Sequence, residues 1–552
     1  MVQAAAVELP PYYYRDNFSY LLNTVSDRYG DVLTDIEHQV LEQFRNASAA
    51  AQCLFVRLIS RTGPWFRESK LRYPEIGPLS PVIDELLAVG FAELAEGLPA
   101  NLIGCLFRRT EIESAFCDVL QNPSSSKAHL LQDITSLGLH DDVLLQRVSD
   151  GQRVIAARHR DLVDLLQLLF FGNRHQSLTE FVLQDLGLTR YFPYSLEHTE
   201  RLFPNRAAID EALLLAELAD RRYTLLETGA TGTLPALAAD VLKVGLLHEC
   251  NRPRWERLCN RLGRDLERLD ALDLALELYS CGEQYPARER RARIYERQQL
   301  FEKACHVCDQ IISAPHCEAE AEAALRILPR LQRKRGMPVD NRPKDRFDTV
   351  EITLPNSGER VENACAGYLA NQWNAVHYVE NRLLNALFGL AFWQQIFTPI
   401  RGVFHHPFQS VPTDMYTGDF QRRRAPALMA RMAQLRCTDL SCELLDAYQR
   451  FNGYQCQWVH WRAIDSALVE HATSVIPGEH LLSIFNRMLF DPRENRRGLP
   501  DLLALGDNHG DYCLIEVKGP GDTLQDNQKR WLRFFADEHI PARVARVRYS
   551  NE

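Results

Sequence analysis

The stretch that decides the fold is residues 497–518, which read Arg-Gly-Leu-Pro-Asp-Leu-Leu-Ala-Leu-Gly-Asp-Asn-His-Gly-Asp-Tyr-Cys-Leu-Ile-Glu-Val-Lys. Two short apolar runs, Leu502–Leu505 and Tyr512–Val517, flank a segment rich in turn-forming residues. This pattern predicts a β-hairpin. In a hairpin that is symmetric about the turn, Asp501 faces Glu516 across the ladder, with Cβ atoms about 4.5–5.5 Å apart.

Two opposed carboxylates repel each other unless they share a proton or bind a cation. Lys518 follows Glu516 by two residues, so both side chains lie on the same side of the pleat. Carboxylate oxygens are the ligands of hard divalent ions, which polarise phosphoryl groups and activate water. The backbone carbonyl of Val517 is a further candidate ligand. The pattern predicts metal-dependent phosphodiester hydrolysis, and the alternative is an exposed hairpin closed by a salt bridge.

Two more polar residues are candidates for the same site. Glu380 precedes apolar residues at helical spacing, starting with Leu383, so we expect it on the inward face of a helix, where a carboxylate needs a partner or a metal. The alternative is a glutamate in the first turn of the helix, stabilised by the helix dipole. Gln528 follows Leu524 by one helical turn, and we expect its side chain to reach back to the acids.

Composition limits the classes of protein to consider. The 552 residues are 46% apolar and 25% charged, which is typical of soluble globular proteins and predicts about three to five domains. The net charge of −10 excludes a globally basic nucleic-acid coat, although local basic faces decide contact with DNA. We find no export signal and no apolar segment of membrane-spanning length, so we expect no membrane partner.

One basic segment lies near the N-terminus. In residues 61–73, Arg61, Arg67 and Lys70 are interleaved with aromatic residues in an alternating pattern that predicts a hairpin. Helices predicted on either side indicate a winged-helix-like unit, and its basic residues suit contact with a DNA backbone. The alternative is a plain structural hairpin.

A second basic feature is an arginine stripe in a predicted helix. Its spacing puts five arginines within one sector of about 80° of the helix surface. The members are Arg254, Arg257, Arg261, Arg264 and Arg268. Such a stripe can follow phosphates, or it can be a solvated face that is salt-bridged to Asp265.

The motifs together resemble a known nuclease family over most of the chain. They are Arg497-Gly-Leu-Pro-Asp501, Glu516-Val-Lys518-Gly-Pro-Gly-Asp522, Leu524-x3-Gln528-x2-Trp531-Leu532, His377-x2-Glu380 with Gly389-x2-Phe392-Trp393, Cys308-Asp-Gln-x4-Pro315, and Trp65-Phe-Arg-x-Ser-Lys70-Leu-x-Tyr73. The C-terminal motifs resemble the VRR-Nuc domain of the PD-(D/E)xK superfamily. The others resemble the Fanconi-associated nuclease family.

The resemblance implies a multidomain, mainly α fold that ends in an α/β PD-(D/E)xK nuclease domain. We expect a helical, winged-helix-like DNA-binding region at 1–95 and an SAP-like helical region at 96–200. A tetratricopeptide-like helical domain is expected at 201–340, and the VRR-Nuc domain at 341–552.

The resemblance also implies an activity and a set of site residues. Family members cut 5′ flaps and related branched DNA near a 5′ phosphate end, in interstrand-crosslink repair. By motif, Asp501, Glu516 and the Val517 carbonyl hold Mg²⁺ or Mn²⁺, with Glu380 as an added ligand. The motif makes Lys518 catalytic and Gln528 a supporting residue. We further hypothesise that Arg221, Arg222 and Lys243 join the arginine stripe in anchoring the 5′ phosphate.

Two other functions remain as alternatives: a junction resolvase, and a non-catalytic DNA-binding scaffold of helical repeats. The expected partners are branched or 5′-flap DNA and, on that DNA, a second copy of the chain. We see no counterpart of the ubiquitin-binding zinc finger of large eukaryotic members. We therefore expect a bacterial protein of the cytoplasm that is associated with the nucleoid; in a eukaryote the location would be nuclear.

Overall fold

The computed structural model describes residues 10–120, 125–174, 176, 189–339, 345–356 and 358–550. The chain divides into two compact units, with the division between Thr189 and Arg190. Within the described ranges, no helix is both long enough and apolar enough to cross a bilayer.

The first unit is helical and contains one small sheet. Its helices are Tyr13–Tyr29, Asp35–Asn46, Ala49–Ile59, Leu79–Ala88, Ala100–Leu106, Arg109–Phe116, Lys127–Ser136, Asp141–Ser149 and Arg160–Phe171. Its strands are β1 (Trp65–Arg67), β2 (Ala92–Leu94) and β3 (Val154–Ala157), in the order β1-β3-β2 with antiparallel neighbours. Side-chain caps set the helix starts at Thr34 and Ser48.

The hairpin predicted within residues 61–73 is wrong. Only β1 is extended there, and Glu68–Lys70 form a 3₁₀ turn. The partner of β1 is β3, far along the chain, and β3 also pairs with β2. One sheet therefore joins the predicted regions 1–95 and 96–200.

The second unit begins with a series of helices. They are Arg206–Glu227, Leu234–Val244, Arg252–Arg268, Leu272–Ser280, Ala287–Arg297, Phe301–Ser313 and Glu318–Lys334. Helices adjacent in sequence pack on one another from Leu234 onward to Lys334, as expected for stacked helix pairs. Before them, β4 (Arg190–Tyr191) pairs with β7 (Tyr454–Gln455), so residues 190–200 belong to this unit and not to the region before it. The predicted boundary at 340 falls on residues 340–344, which are outside the described residues.

The rest of the second unit surrounds a five-stranded sheet. Its strands are β5 (Thr349–Leu354), β6 (Ala375–Tyr378), β8 (Leu502–Leu505), β9 (Tyr512–Lys518) and β10 (Ala542–Tyr549). The order is β5-β10-β9-β8-β6; β10 is parallel to β5 and β9, and the other neighbours are antiparallel. The helices are Val361–Leu369, Leu383–Ala391, Trp393–Ile396, Asp419–Cys437, Leu440–Phe451, Ser466–Val475, Gly478–Phe490 and Asp526–Asp537.

The sheet is buried on both faces. Leu503 and Leu514 belong to a core shared with the Leu383–Ala391 helix, whereas Leu502 and Ile515 belong to a core shared with the Val361–Leu369 helix. Burial on both faces explains why these strands are continuous apolar runs and not alternating ones. Because neighbours alternate between faces, Glu516 and Lys518 of β9 share the side of Leu514.

Candidate active site

The predicted register of the β8–β9 hairpin is confirmed. Leu502 pairs with Ile515 and Leu505 with Tyr512, and the same register places Asp501 opposite Glu516. The Val517 N–H donates a hydrogen bond of 2.8 Å to Asp501 Oδ2. The hairpin thus brings both acids to its open end, away from its turn.

Both acids are withdrawn from water. Asp501 is 8% exposed and Glu516 is 1% exposed. Burial raises the pKa of Glu516 to about 8, with a further rise from the charge of Asp501. Burial likewise raises the pKa of Asp501 to about 6, against the lowering effect of the Val517 N–H.

Lys518 supplies a nearby positive charge. Its Nζ lies 2.8 Å from Glu516 Oε1, and its side chain is 10% exposed. This oxygen has no well-aligned hydrogen bond, so the lysine compensates the charge of Glu516 without fully satisfying it. The two buried acids supply carboxylate oxygens that a divalent cation would bind in their ionised form, and the cation would offset the repulsion between them.

Glu380 lies beside these acids, but not on a helix. Residues 375–378 pair as β6 with β8, so the helix predicted at Glu380 begins only at Leu383. Glu380 is in the intervening turn, where its N–H and that of Val379 donate to the Asp501 carbonyl at 3.2 and 2.8 Å. Its charge raises the pKa of Asp501. The prediction of a helical position was wrong because the strand pairing uses the preceding residues.

The side chain of Glu380 has a hydrogen-bond partner that the sequence analysis missed. The Tyr378 hydroxyl donates to Glu380 Oε2. Across the described ranges, no three His, Cys, Asp or Glu side chains are arranged as a ready-made ion site. The metal-binding roles of Asp501, Glu516, Glu380 and the Val517 carbonyl therefore stay predictions.

Gln528 makes a different contact from the expected one. Its helix begins at Asp526, and Gln528 Oε1 accepts the Gln525 N–H at 2.9 Å in a capping box. This bond satisfies one of the free N–H groups of the helix start. The supporting role of Gln528 at the acids stays a prediction.

Arg67 is buried and paired with a carboxylate. It is 5% exposed, and its guanidinium makes two hydrogen bonds to Glu111, at 2.8 and 2.9 Å. The pairing of β1 with β3 buries the side chain, which counts against the predicted DNA contact of Arg67. Arg61 and Lys70 are exposed, and Arg61 also donates to the Tyr73 hydroxyl at 3.1 Å.

The arginine stripe lies on the Arg252–Arg268 helix, as predicted, but carboxylates close by offset part of its positive charge. Arg268 lies 3.3 Å from Asp265, and Arg222 donates to the same carboxylate at 2.5 Å. Two more ion pairs join Arg264 to Glu267 at 4.0 Å and Arg221 to Asp240 at 2.9 Å. Arg254 makes a cation–π contact, with its guanidinium 5.3 Å from the ring centre of Phe203. The salt-bridged alternative therefore holds for Asp265.

Arg257 and Arg261 differ from the other members of the stripe. Both are exposed, and no carboxylate of the described residues lies within ion-pair distance of either. Partial desolvation, then the charges of Arg261 and Arg493, lower the pKa of Arg257. Lys243 is likewise exposed, at the end of the adjacent Leu234–Val244 helix.

Asn381 is a second residue that sequence reasoning missed. It adopts φ +49°, and its Oδ1 accepts the Leu499 N–H at 3.1 Å. Asn is one of the residues that tolerate this left-handed conformation, and that tolerance was a usable turn signal after β6. The contact ties the turn of Glu380 to the segment that leads into Asp501.

Comparisons with known proteins show which family this chain resembles. Residues 12–93 match the family described as FAN1, HTH domain, and residues 439–549 match the VRR-NUC domain family. The Fanconi-associated nuclease 1 homolog of Pseudomonas aeruginosa is 35% identical over 544 residues, which cover 98% of this chain and 96% of that protein. The Arabidopsis thaliana homolog is 26% identical over 608 residues, which cover 97% of this chain and 67% of that protein.

A solved structure is similar over nearly the whole chain. It is the crystal structure of paFAN1 bound to 2nt 5′-flap DNA with a gap, and it matches with a TM-score of 0.84 at 34% identity. The match covers 99% of this chain and 100% of that one.

Proposed function

This chain belongs to the Fanconi-associated nuclease family and is a structure-selective DNA nuclease, and we propose that it cuts 5′ flaps and related branched DNA near a 5′ phosphate end. The observation that carries the proposal is the meeting of Asp501, Glu516 and Lys518 at the open end of the β8–β9 hairpin. The full-length match to paFAN1 bound to 5′-flap DNA supports the choice of substrate.

The VRR-Nuc family is metal-dependent, and we propose Mg²⁺ or Mn²⁺ as the ion. Asp501, Glu516 and the Val517 carbonyl would hold it, with Glu380 as an added ligand. When bound, the ion supplies Lewis-acid polarisation of the scissile phosphate and an acidified water. The chemistry of the donor set supports this choice, because hard divalent ions prefer oxygen ligands.

Lys518 contributes a positive charge of the protein's own, in addition to that of the metal ion. Its ammonium lies beside Glu516 in a site that is largely closed to water. A positive charge held in such surroundings stabilises the negative charge that develops on phosphate oxygens in the transition state. Gln528 supports the site from the first turn of the Asp526–Asp537 helix.

The 5′ phosphate is anchored by the helical part of the second unit. We assign the anchor to Arg257 and Arg261 together with Lys243, since these three cations are exposed and lack a carboxylate partner among the described residues. The paired arginines Arg221 and Arg222 orient the surrounding helices. The side chains of Arg61 and Lys70 in the first unit contact the phosphate backbone of duplex DNA.

We place this activity in interstrand-crosslink repair, in the cytoplasm and on the nucleoid of a bacterial cell, with two copies of the chain meeting on one DNA. The 35% identity to the Pseudomonas aeruginosa homolog over nearly the full chain supports a bacterial source.

A panel of substrates tests the proposal. Labelled 5′-flap, 3′-flap, nicked and plain duplex DNA of one sequence are incubated with the protein and Mg²⁺ or Mn²⁺. We expect cleavage near the junction of the 5′ flap and much slower cleavage of the 3′ flap and the duplex. Equal rates on all four substrates would contradict structure selection.

A further inference from the structure

We infer that the hydroxyl of Tyr378 is a positioning group that fixes the Glu380 carboxylate for the metal ion; the inference rests on the proposed function of the site. Tyr378 donates its hydroxyl hydrogen to Glu380 Oε2. An ionised carboxylate only accepts hydrogen bonds, so the donor must be the phenol. The bond engages Oε2, and we assign the second carboxylate oxygen, Oε1, to the ion.

The backbone at Glu380 is already fixed by its neighbours. The N–H groups of Val379 and Glu380 both donate to the Asp501 carbonyl. On the other side, Asn381 holds a left-handed conformation and accepts the Leu499 N–H. The main chain of Glu380 is therefore tied directly to the residue that carries the first metal-binding carboxylate.

The side chain of Glu380 keeps freedom that the backbone does not remove. Glutamate loses considerable rotamer freedom when it is ordered, and an unordered carboxylate would lose that freedom when it binds the ion. A hydrogen bond made before binding orders the group in advance. The Tyr378 hydroxyl makes such a bond to Glu380.

Tyr378 is itself held in place, which a positioning group requires. It pairs with Leu502 at the end of β6, next to Asp501. Its ring packs against the core beneath the Val361–Leu369 helix. The Arg382 guanidinium lies 5.7 Å from the ring centre. The hydroxyl is thus fixed by packing, independently of Glu380.

The decisive experiment measures metal binding as well as cleavage. Calorimetric titration of the full chain with Mn²⁺, without DNA, compares wild type with Tyr378→Phe. Loss of such an outer hydrogen bond weakens metal binding about 10- to 100-fold, and we expect a dissociation constant raised about tenfold. Cleavage of 5′-flap DNA should shift to correspondingly higher Mn²⁺ and recover at saturating Mn²⁺.

A matched control exists elsewhere in the chain. The Tyr279 hydroxyl donates to Glu267 Oε1 at 2.7 Å in the helical series, so Tyr279→Phe removes the same kind of bond away from the sheet. Its Mn²⁺ affinity should equal that of wild type. In a Glu380→Gln background, Tyr378→Phe should cause no further loss, because the positioned carboxylate is absent.

Unchanged or tighter Mn²⁺ binding in Tyr378→Phe would overturn the inference, since the hydroxyl would then be idle or would hold Glu380 away from the ion. An equal loss in the Glu380→Gln background would also overturn it. The Asp501→Asn variant distinguishes an error in the proposed metal site from an error in the role of Tyr378. If Asp501→Asn binds Mn²⁺ as wild type does, the proposed metal site itself is wrong; if it loses binding while Tyr378→Phe does not, only the role of Tyr378 fails.

Discussion

Replacing Arg67 with alanine should destabilise the first unit, because Arg67 is part of a buried ion pair. The guanidinium makes two hydrogen bonds to Glu111 and a third, of 3.2 Å, to Gln152. It also lies 4.3 Å from the ring centre of Phe107. The perturbation removes all of these contacts and leaves Glu111 without its cation.

The exposure of the two partners sets the size of the effect. Breaking a fully buried pair costs about 3–5 kcal/mol. The Arg67 side chain is 5% exposed, but that of Glu111 is 30% exposed, and water would resolvate the freed carboxylate. We therefore expect a loss of about 2–3 kcal/mol, which lowers the melting temperature of a unit of this size by about 4–12 °C.

The effect should depend on pH. Hydrogen bonding to Arg67 lowers the pKa of Glu111 to about 2, below its ordinary value of 4.5. A carboxyl group whose pKa is lowered in the folded state contributes stability above its unfolded pKa and loses it as pH falls through the folded pKa. The difference between wild type and Arg67→Ala should thus be full above pH 4.5 and shrink towards pH 2.

Thermal unfolding of the full chain, followed by circular dichroism, measures the change. Arg61→Ala is the matched control, because Arg61 is exposed and its guanidinium donates a hydrogen bond to the uncharged Tyr73 hydroxyl. We expect its melting temperature to stay close to that of wild type. An unchanged melting temperature in Arg67→Ala, combined with weaker DNA binding, would refute the reasoning and return Arg67 to the DNA-contact class.

The other predictions concern the reaction and its substrate. Lys518→Met should reduce the cleavage rate by roughly 100-fold with little change in DNA affinity, because the lysine acts on charge that develops in the transition state; equal losses in rate and affinity would contradict this role. The double variant Arg257→Ala/Arg261→Ala should reduce the preference for 5′-phosphorylated over 5′-hydroxyl ends about tenfold. The control is the double variant Arg297→Ala/Arg330→Ala, which removes two arginines that are paired with carboxylates and should leave this preference unchanged. Binding of uncleaved 5′-flap DNA in Ca²⁺ should weaken steeply with salt, and a flat dependence would exclude recognition led by phosphates.

The β8–β9 hairpin was predictable because the residues that determine it lie close together in the sequence. A turn of strong turn formers lies between two apolar runs, and the register follows from their symmetry, so Asp501 and Glu516 were placed correctly by counting residues. The family membership was predictable for the same reason, since the motif residues are close in sequence.

The errors arise where pairing is non-local. Nothing near Arg67 shows that its strand pairs with Val154–Ala157, and that pairing buries the side chain. The position of Glu380 was missed because β6 is only four residues long and its sequence alone does not indicate a strand. It is extended because it pairs with β8. The arginine stripe was found by helical spacing, but spacing does not reveal that Arg222, on another helix, shares Asp265 with Arg268.

The measurement that tests the central claim most directly is cleavage of end-labelled 5′-flap DNA in Mg²⁺ or Mn²⁺ by wild type and Asp501→Asn. Asparagine retains an acceptor for the Val517 N–H, which bonds to Asp501 Oδ2, but it removes the charge that a metal requires. Asp507→Asn is the control, because Asp507 is exposed in the turn at the opposite end of the same hairpin. We predict cutting near the junction by wild type and Asp507→Asn, and none by Asp501→Asn; cutting by all three would mean that the active site lies elsewhere.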